Sequence, residues 1–433
     1  MKNRKIFGLA VCALALASVV SCGPDEGGKG TVTYNDVSTP ITIWASDAEI
    51  DVINKVVDKY NAEQTEDSQK FKITTKAVSE ADAGTTLSND PTVSGAPALF
   101  LCADDHINNL VSKDIVLEIQ GTYKERIVES TAEVSVQAVT LDDKLYGFPV
   151  TSDNGYFLWY DSSVISDEDA QSLERIIEVC KEKGKTFGFD IENGYYSASF
   201  FLSPEACGAD SVRWKRDANN AIVYDINWDN AEGVKVAEYA NSLLQPNATL
   251  IKGDTKGANA LFAAGFMDRS MVACISGTWM EGDLTKAIGK DLKATKLPSY
   301  HIGEKAYQLG SFSGTKTYCI NKTRPAAEQR VAAALGDLLS TKESQLVRYE
   351  TRQSVPCNKE AVEDPRYTDH LTLSAVAIQE QSQYSATQSQ AAENRYWDVG
   401  QVLGGAMLRG LPEELPTWKE YLESQCNKLR TAV

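Results

Sequence analysis

The stretch LYGFPVTSDNGYFLWYDSSVI, residues 145–165, decides how this chain folds. A Gly-Phe-Pro turn and the polar run Thr151–Asn154 precede the aromatic run YFLWY at 156–160, and aromatic residues bounded by turn formers predict a strand. Side chains alternate along a strand, so both faces are apolar and both are predicted to be buried, with Tyr156, Leu158 and Tyr160 opposite Phe157 and Trp159. We predict that the chain passes here from one lobe to another, with a cleft at the crossing.

Residues 1–21 carry the features of a signal peptide. Lys2, Arg4 and Lys5 precede the apolar run Ile6–Val20, which is shorter than the roughly 20 residues that a membrane span needs. The run ends in Val-Val-Ser-Cys-Gly, which is similar to a bacterial lipobox and predicts cleavage before Cys22 and a lipid on its thiol. An ordinary signal peptide with an unrelated cysteine is the alternative, and both predict export. The Gly-, Asp- and Ser-rich residues 22–38 predict a flexible tether after the lipidated Cys22.

The charge balance excludes some classes of partner. The chain has 43 Lys and Arg against 60 Asp and Glu, a formal charge of −17, and loss of the signal peptide makes the balance more negative. Nucleic acid is excluded because phosphate neutralisation needs a basic surface. Docking on an anionic lipid surface by charge is excluded for the same reason. High solubility is one interpretation of this charge, and a cationic ligand remains open.

Cysteine and histidine usage predicts neither a disulfide framework nor a metal site. Besides Cys12 and Cys22, seven cysteines stand at wide spacings in mostly apolar contexts. An odd number at such spacings predicts small buried side chains. No Cys-x-x-Cys or Cys-x-x-His pair occurs, and the chain has only 3 histidines. We expect no metal and no cofactor.

The first third of the chain follows a β-α-β order. Strands are predicted at Ile41–Ala45, Phe71–Thr75 and Ala96–Cys102, with an amphipathic helix after the first and a capping box at Ser46 and Glu49. This order predicts a parallel, doubly wound sheet, and the chain is long enough for two domains. The acidic turn Asp104-Asp105-His106 comes at the carboxyl end of the third strand, where such sheets bind ligands.

Further elements are predicted along the rest of the chain. The polar segment 379–390 receives no assignment, and a second capping box is predicted at Ser340 and Glu343. The remaining predictions are strands at Met271–Ile275 and Thr317–Asn321, and helices at Asp167–Lys183, Asn230–Leu244, 325–339, Asn394–Leu408 and Trp418–Leu429.

Enzyme motifs are scarce, whereas aromatic residues after turns suggest a sugar site. No G-x-S-x-G, H-E-x-x-H or P-loop pattern occurs, although a glycosidase needs only two carboxylates and remains an alternative. Sugars expose apolar C–H faces that stack on flat rings. Tyr195, Trp279 and Trp397 lie in such contexts, with core packing as the alternative for each. His106 beside two aspartates serves either a ligand or a helix cap.

These pieces, in this order, resemble the extracellular solute-binding proteins of carbohydrate ABC transporters, of the maltose-binding-protein-like group. The resemblance implies an α/β, two-lobed periplasmic-binding-protein-like fold, in which each lobe is a mainly parallel sheet flanked by helices and crossover hinge strands join the lobes. By this resemblance, lobe one comprises 39–153 plus 308–354, and lobe two comprises 154–307 plus 355–433. The strand at 156–160 matches the family's first crossover.

The resemblance also implies ligand-binding positions and departures from them. The loop after Trp44 lacks the maltose-type Gly-Asp-Lys, the crossover has no glutamate, and His106 replaces an arginine. These departures argue against maltodextrin itself as the ligand. The implied ligand-binding residues are Asp47, Glu49, Asp105, His106, Asp153, Asn154, Tyr195, Trp279 and Trp397.

The resulting hypothesis is a membrane-anchored extracellular binding protein, not an enzyme. It captures a carbohydrate, an oligosaccharide, in the interlobe cleft by hinge closure and delivers it to an ABC permease. We expect a monomer that is attached to the cell membrane through its lipid and faces outside the cytoplasm. The alternatives are an exported glycoside hydrolase that uses a carboxylate pair, and a non-catalytic sensor or adhesin without a permease partner.

Overall fold

The computed structural model describes residues 33–432 except 220, 254–258 and 392–393. The predicted signal peptide and the lipid site at Cys22 therefore lie outside the described residues. Among the described residues, no helix combines the length and the apolar character that crossing a membrane requires. 

The described strands, in chain order, are β1 (Ile41–Ala45), β2 (Ile73–Ala77), β3 (Leu99–Ala103), β4 (Thr140–Leu141), β5 (Lys144–Leu145), β6 (Phe148–Pro149), β7 (Tyr156–Asp161), β8 (Thr186–Gly188), β9 (Val212–Arg216), β10 (Ile222–Ile226), β11 (Ile251–Lys252), β12 (Met271–Gly277), β13 (Leu292–Thr295), β14 (Ser299–Ile302), β15 (Lys305–Gln308), β16 (Ser311–Ser313), β17 (Lys316–Ile320) and β18 (Ser385–Thr387). The described helices are α1 (Asp47–Glu63), α2 (Glu80–Asn89), α3 (Ile107–Ser112), α4 (Gly121–Ser130), α5 (Glu133–Ala138), α6 (Leu173–Lys183), α7 (Gly194–Ser197), α8 (Ala231–Leu244), α9 (Ala260–Met267), α10 (Glu281–Ile288), α11 (Ala326–Ser340), α12 (Lys342–Arg352), α13 (Pro365–Thr368), α14 (Leu373–Gln381), α15 (Gln388–Ala391), α16 (Asn394–Arg409) and α17 (Trp418–Arg430).

Two five-stranded sheets form the centres of two lobes. The first has the order β2-β1-β3-β17-β6 and the second the order β11-β8-β12-β7-β13. In the first sheet only β17 runs against the other strands, and in the second only β7 does. The predicted mainly parallel, helix-flanked α/β fold is confirmed.

Each antiparallel strand is the one by which the chain enters a sheet from the other lobe. β6 ends in the first sheet at Pro149 and β7 begins in the second at Tyr156. On the return, β16 pairs with β18 beside the second sheet, and β17 enters the first. The stretch at 145–165 therefore contains the first crossing, as predicted.

The alternating pattern of β7 separates two cores. All six of its residues, Tyr156–Asp161, are buried. Tyr156 belongs to the larger core, which α6, α8 and α16 cover, whereas Trp159 packs with Phe262 and Leu284 from α9 and α10 on the opposite face. The predicted burial of the strand on both faces is confirmed.

Two chain segments, 150–155 and 313–316, join the lobes, and they bond to each other and to the segment 352–357 of lobe one. The backbone N–H of Val150 donates to the carbonyl oxygen of Lys316 at 2.9 Å. The N–H of Asn154 donates to the carbonyl oxygen of Gly314 at 3.2 Å, and that of Ser152 donates to the carbonyl oxygen of Val355 at 3.0 Å. These bonds make a connected hinge of the segments.

The observed packing differs from the predicted boundaries at three places. Tyr34 and Val37 are buried in the first lobe, so the predicted flexible tether is wrong at its end, because these side chains pack beside α1. Leu309 and Phe312 belong to the core of the second sheet, although residues 308–354 were expected in lobe one. The N–H of Lys359 donates to the carbonyl oxygen of Ser130 at the end of α4, so the chain after 355 remains with lobe one before it returns at α14.

The sequence predicted the C-terminal end of α6 correctly but placed its start too early. Ser172 caps this helix by accepting a hydrogen bond from the N–H of Arg175, and Gly184 ends it in the left-handed conformation with φ of 63°. A side-chain cap satisfies an N–H that the first turn leaves open, and glycine adopts positive φ without strain. The predicted start at Asp167 is therefore too early, while the predicted end at Lys183 is confirmed.

Neither predicted capping box forms as expected. Ser46 begins α1 without a side-chain cap, and its Oγ instead donates to Glu80 Oε1 at 3.0 Å. At the second box, Ser340 is the last residue of α11, and Thr341 caps α12 by accepting from the N–H of Ser344. The four-residue pattern located each helix start to within a residue, but its hydrogen bonds depended on which side chains lay nearby.

Of the seven cysteines after Cys22, six are buried and Cys207 is partly exposed. The prediction of small buried side chains is therefore confirmed for most of them.

Candidate functional site

The acidic turn at the end of β3 lies where the lobes meet. Asp104 is fully buried, and its Oδ1 accepts the N–H of Thr315 in the second crossing segment at 3.1 Å. Burial raises the pKa of Asp104 to about 7, and the neighbouring charge of Asp105 adds to this. A hydrogen bond from the Ser389 side chain partly offsets these effects, and within the described part of the chain the buried Asp105 Oδ1 has no hydrogen-bond partner. One buried acceptor oxygen of Asp105 is therefore left without a donor at this seam.

A glycine permits the close approach of three segments here. A Cβ on Gly314 would lie 2.6 Å from Asp104 Oδ1, 3.0 Å from Asn154 Nδ2 and 3.0 Å from Gln388 Oε1. The Asn154 amide donates to Gln388 Oε1 at 2.9 Å. Lobe one, the hinge and the segment before α16 therefore converge at one point, which only a residue without a side chain can occupy.

The polar segment that received no assignment supplies part of this site. Ser389 lies in α15, which packs against the turn at Asp104. Its carbonyl oxygen accepts hydrogen bonds from Asn108 Nδ2 of lobe one at 3.1 Å and from Trp214 Nε1 of lobe two at 2.7 Å. Sequence reasoning missed Gln388, Ser389 and Asn108, and only the Gln- and Ser-rich composition of 379–390 indicated side chains of this kind.

Tyr195 and Trp397 lie in one aromatic cluster. Asn193 caps the short helix α7 and so fixes Tyr195, whose hydroxyl donates to the carbonyl oxygen of Asn154 at 3.0 Å. The Tyr195 ring lies 6.2 Å from that of Trp397 and stacks at 5.9 Å on Phe312. Burial raises the pKa of Tyr195, and the charges of nearby tyrosines and of the Asp104 turn raise it further. The cluster therefore adjoins the acidic turn.

Trp279 is the most exposed of the three predicted platforms. It follows β12 in a short turn and is 40% exposed. Its indole lies over Gly277, because a Cβ there would come 2.3 Å from the ring and 2.6 Å from the carbonyl oxygen of Gly155. The ring face that Trp279 exposes is thus near the start of β7, where the first crossing ends.

Glu49 is an interior residue, whereas the sequence predicted a ligand-facing position. Its Oε1 accepts from Arg348 Nη2 at 2.7 Å and from Tyr318 at 2.7 Å, and its Oε2 pairs with Arg352 at 2.5 Å. Burial alone would raise the pKa of Glu49, but the arginines outweigh burial and hold it at about 2. Glu49 therefore anchors α12 to α1, and Asp47 is exposed on the first turn of α1.

Asp153 and His106 also have internal contacts. Asp153 is fully buried, and its Oδ2 accepts the N–H of Val355 at 3.1 Å, so it joins the first crossing segment to the segment 352–357. The partly buried His106 packs on α2, where a Cβ on Gly84 would lie 2.3 Å from its ring. The structure thus brings Asp105, Asn154, Tyr195 and Trp397 to one seam, and it places Asp47 and Glu49 elsewhere on lobe one.

Two cavities accompany this arrangement. One of about 280 Å³ lies in lobe one between α1 and α12, and none of the predicted site residues lines it. The other, of about 90 Å³, lies beside the seam between β18 and residues 209–213. Only the smaller cavity adjoins the converging segments.

Comparison with known proteins assigns the chain to a family. The family model of bacterial extracellular solute-binding proteins matches residues 55–375. The galactooligosaccharide-binding protein of Bacillus subtilis is 24% identical over 418 residues, which cover 91% of this chain and 90% of the relative. Each relative compared is named as a binding protein.

Solved structures of low sequence identity share the fold. The maltodextrin-binding protein from L. casei BL23 without ligand has a TM-score of 0.75 at 16% identity, and the match covers 92% of this chain and 100% of that one. The maltotriose-binding protein of Thermus thermophilus, bound with maltotriose, has a TM-score of 0.69 at 16% identity, with 90% and 99% covered. This chain belongs to the bacterial extracellular solute-binding protein family.

Proposed function

We propose that this protein captures an oligosaccharide in the cleft between its lobes and delivers it to an ABC permease. Lobe one would comprise about 34–153 plus 314–369, and lobe two about 154–313 plus 370–432. Cys22 would carry the lipid that holds the protein at the outer face of the cell membrane. The same proposal holds that the protein binds its ligand as a monomer and does not catalyse a reaction on it.

The observation that carries this proposal is the convergence at Gly314. Asp104, Asn154 and Gln388 come from lobe one, the hinge and lobe two and surround this one residue. A ligand at such a seam contacts both lobes only when they are closed, so its binding free energy favours the closed state.

The site has the groups that a sugar requires. The carboxylate oxygen of Asp105 that has no partner among the described residues can accept a ligand hydroxyl hydrogen. The rings of Tyr195, Trp397 and Trp279 provide flat apolar surfaces for sugar C–H faces. Ring contacts of about 0.5–1.5 kcal/mol each, together with several hydrogen bonds, are compatible with micromolar affinity, which corresponds to about −8 kcal/mol.

The relative in Bacillus subtilis guides the choice of sugar. It is named for galactooligosaccharide binding, and the departures from the maltose-type loop argue against maltodextrin. We therefore place galacto-oligosaccharides before maltodextrins as ligands to test.

The test is ligand-induced stabilisation and tryptophan fluorescence of the exported chain against galacto-, malto- and cello-oligosaccharides of two to six units. We expect a rise in melting temperature with at least one series, since a ligand that binds only the folded state stabilises it. A shift with a peptide or polyamine and with no saccharide would refute the carbohydrate ligand. Turnover of a bound sugar that one Asp or Glu substitution abolishes would instead support a hydrolase.

A further inference from the structure

One backbone carbonyl oxygen, that of Ser389, is held by side chains from both lobes. Asn108 Nδ2, on α3 of lobe one, donates to it at 3.1 Å, and Trp214 Nε1, on β9 of lobe two, donates to it at 2.7 Å. A carbonyl oxygen has two lone pairs, so these two donors saturate it.

Ser389 belongs to lobe two. It follows β18, which pairs with β16, and Ala386 of β18 is buried in the core of the second sheet. The bond from Trp214 therefore lies within one lobe, whereas the bond from Asn108 crosses the seam. α15, which contains Ser389, also packs against α5 and the turn at Asp104 in lobe one. Separation of the lobes at this seam breaks the bond from Asn108 and leaves the bond from Trp214 intact.

The surroundings of this bond are filled by protein. Asn108, Gln388 and Ser389 are all buried. The cavity of about 90 Å³ beside them is lined by residues of lobe two, which are Ala209, Asp210, Val212, Arg213 and Ser385–Thr387. A ligand in that cavity would not bridge the lobes. This part of the seam is therefore joined by the protein's own groups, and the ligand contacts both lobes elsewhere in the cleft.

We propose that Asn108 is a positioning residue that stabilises the closed state through the Ser389 carbonyl, which Trp214 holds in place, and that it does not contact ligand. This inference rests on the proposed function and adds to it a residue that sets affinity without selecting the sugar. The apparent dissociation constant rises as the closed, binding-competent fraction falls, and it does so by the same factor for every ligand. A residue that contacts the sugar changes affinity for some sugars more than for others.

The first experiment is isothermal titration of Asn108→Ala with galactotriose, maltotriose and cellotriose. Loss of one net hydrogen bond from the closed state should weaken each trimer that binds the unchanged protein by one common factor of about two- to tenfold. Clearly unequal factors would identify Asn108 as a sugar contact and overturn the inference. An unchanged affinity for all trimers would overturn it as well.

Asn109→Ala is the matched control. Asn109 is the next residue on α3, and its amide donates to the hydroxyl of Ser88 within lobe one. This variant removes a hydrogen bond from the same helix but none across the seam, so the affinity for each trimer should stay unchanged. A loss equal to that of Asn108→Ala would show that the integrity of α3, rather than closure, sets the affinity.

Trp214→Phe tests the other donor to the same carbonyl. It should weaken all trimers by a common factor smaller than that of Asn108→Ala. It should have no further effect in the Asn108→Ala protein, because it acts through the bond that is already lost. Additive losses would overturn the role of Trp214. If circular dichroism shows that Asn108→Ala does not fold, Trp214→Phe decides alone, and unequal factors or unchanged binding then overturn the inference.

A measurement without ligand separates this inference from the proposed function. Dyes at the exposed positions Asp58 on α1 and Asp283 on α10 report the distance between the lobes by single-molecule energy transfer. Asn108→Ala should reduce the closed population, and Asn109→Ala should not. An unchanged closed population would overturn the inference even if sugars bind. A reduced closed population, with no saccharide bound by the unchanged protein, would support the inference and refute only the carbohydrate ligand.

Discussion

Replacing Glu49 by glutamine tests whether this residue supports the fold or contacts ligand. The carboxylate is fully buried, and it neutralises Arg348, whose side chain is 1% exposed, and Arg352, whose side chain is 15% exposed. Glutamine has nearly the same shape and keeps an acceptor oxygen, but it removes the negative charge. The variant therefore leaves the buried Arg348 without compensation, while Arg352 keeps only Glu80, at 3.8 Å.

The expected cost follows from the burial of the pair. Removing one partner of a buried ion pair destabilises a protein by about 3–5 kcal/mol, whereas an exposed pair contributes about 0–1 kcal/mol. For a lobe of this size, about 2–4 °C of melting temperature correspond to each kcal/mol. Glu49→Gln should therefore melt about 6–20 °C below the unchanged protein.

Glu343→Gln is the matched control. Glu343 also pairs with two cations, Lys59 and Arg366, but its side chain is 48% exposed. Calorimetric scans of both variants at pH 7 should show a large loss of melting temperature for Glu49→Gln and a loss of at most about 4 °C for Glu343→Gln. Equal melting temperatures for the two variants would refute the argument, and a loss of ligand affinity without destabilisation would restore the ligand-facing prediction.

The effect of pH provides an independent check on the same residue. The pKa of Glu49 in the folded state, about 2, lies below its ordinary value of 4.5. Its contribution to stability is therefore present above that ordinary value and is lost as pH falls toward the folded-state value. The difference between Glu49→Gln and the unchanged protein should be constant from neutral pH to about pH 5 and should narrow below about pH 4.

Three further substitutions test the seam. Asn154→Ala removes the hydrogen bond to Gln388 and should weaken oligosaccharide binding about tenfold by titration, and a large loss of stability instead would identify Asn154 as a core residue. Gly314→Ala places a Cβ 2.6 Å from a carboxylate oxygen of Asp104 and should lower the free energy of unfolding in urea by about 1–3 kcal/mol. Gly282→Ala, which meets no atom within 4 Å, is its control and should cost nothing. Trp397→Ala should weaken sugar binding by about 2–10-fold, and Trp397→Phe should restore most of the affinity; equal binding by all forms would exclude a stacking role.

The sequence alone was sufficient for features that depend on chain neighbours. The alternation in YFLWY predicted two buried faces, and Tyr156 and Trp159 indeed pack in opposite cores. Gly184 ended α6 at the expected position because its positive φ is a local requirement. The ordered motifs likewise indicated the solute-binding family, which the family match from 55 to 375 confirmed.

The sequence did not predict which side chains would pair with one another. The spacing of Ser46 and Glu49 fits a capping box, yet the carboxylate binds Arg348, which is 299 residues away in the chain. No local pattern reports such a partner, and a buried arginine attracts a carboxylate more strongly than a backbone N–H does. The predicted flexible tether failed at Tyr34 for a similar reason, since its ring packs on distant aromatic residues.

The sequence by itself determined the β-α-β order at the start of the chain, the first crossing and the family, because periodicity and turn chemistry act over a few residues. The tertiary structure decided the composition of the seam. Asp104, Gly314 and Gln388 lie far apart in the chain, in different crossing and lobe segments. They meet because the crossing segments bond to one another. The polar segment around Ser389 carried no periodic signal, since its role depends on contact with both lobes rather than on its own pattern.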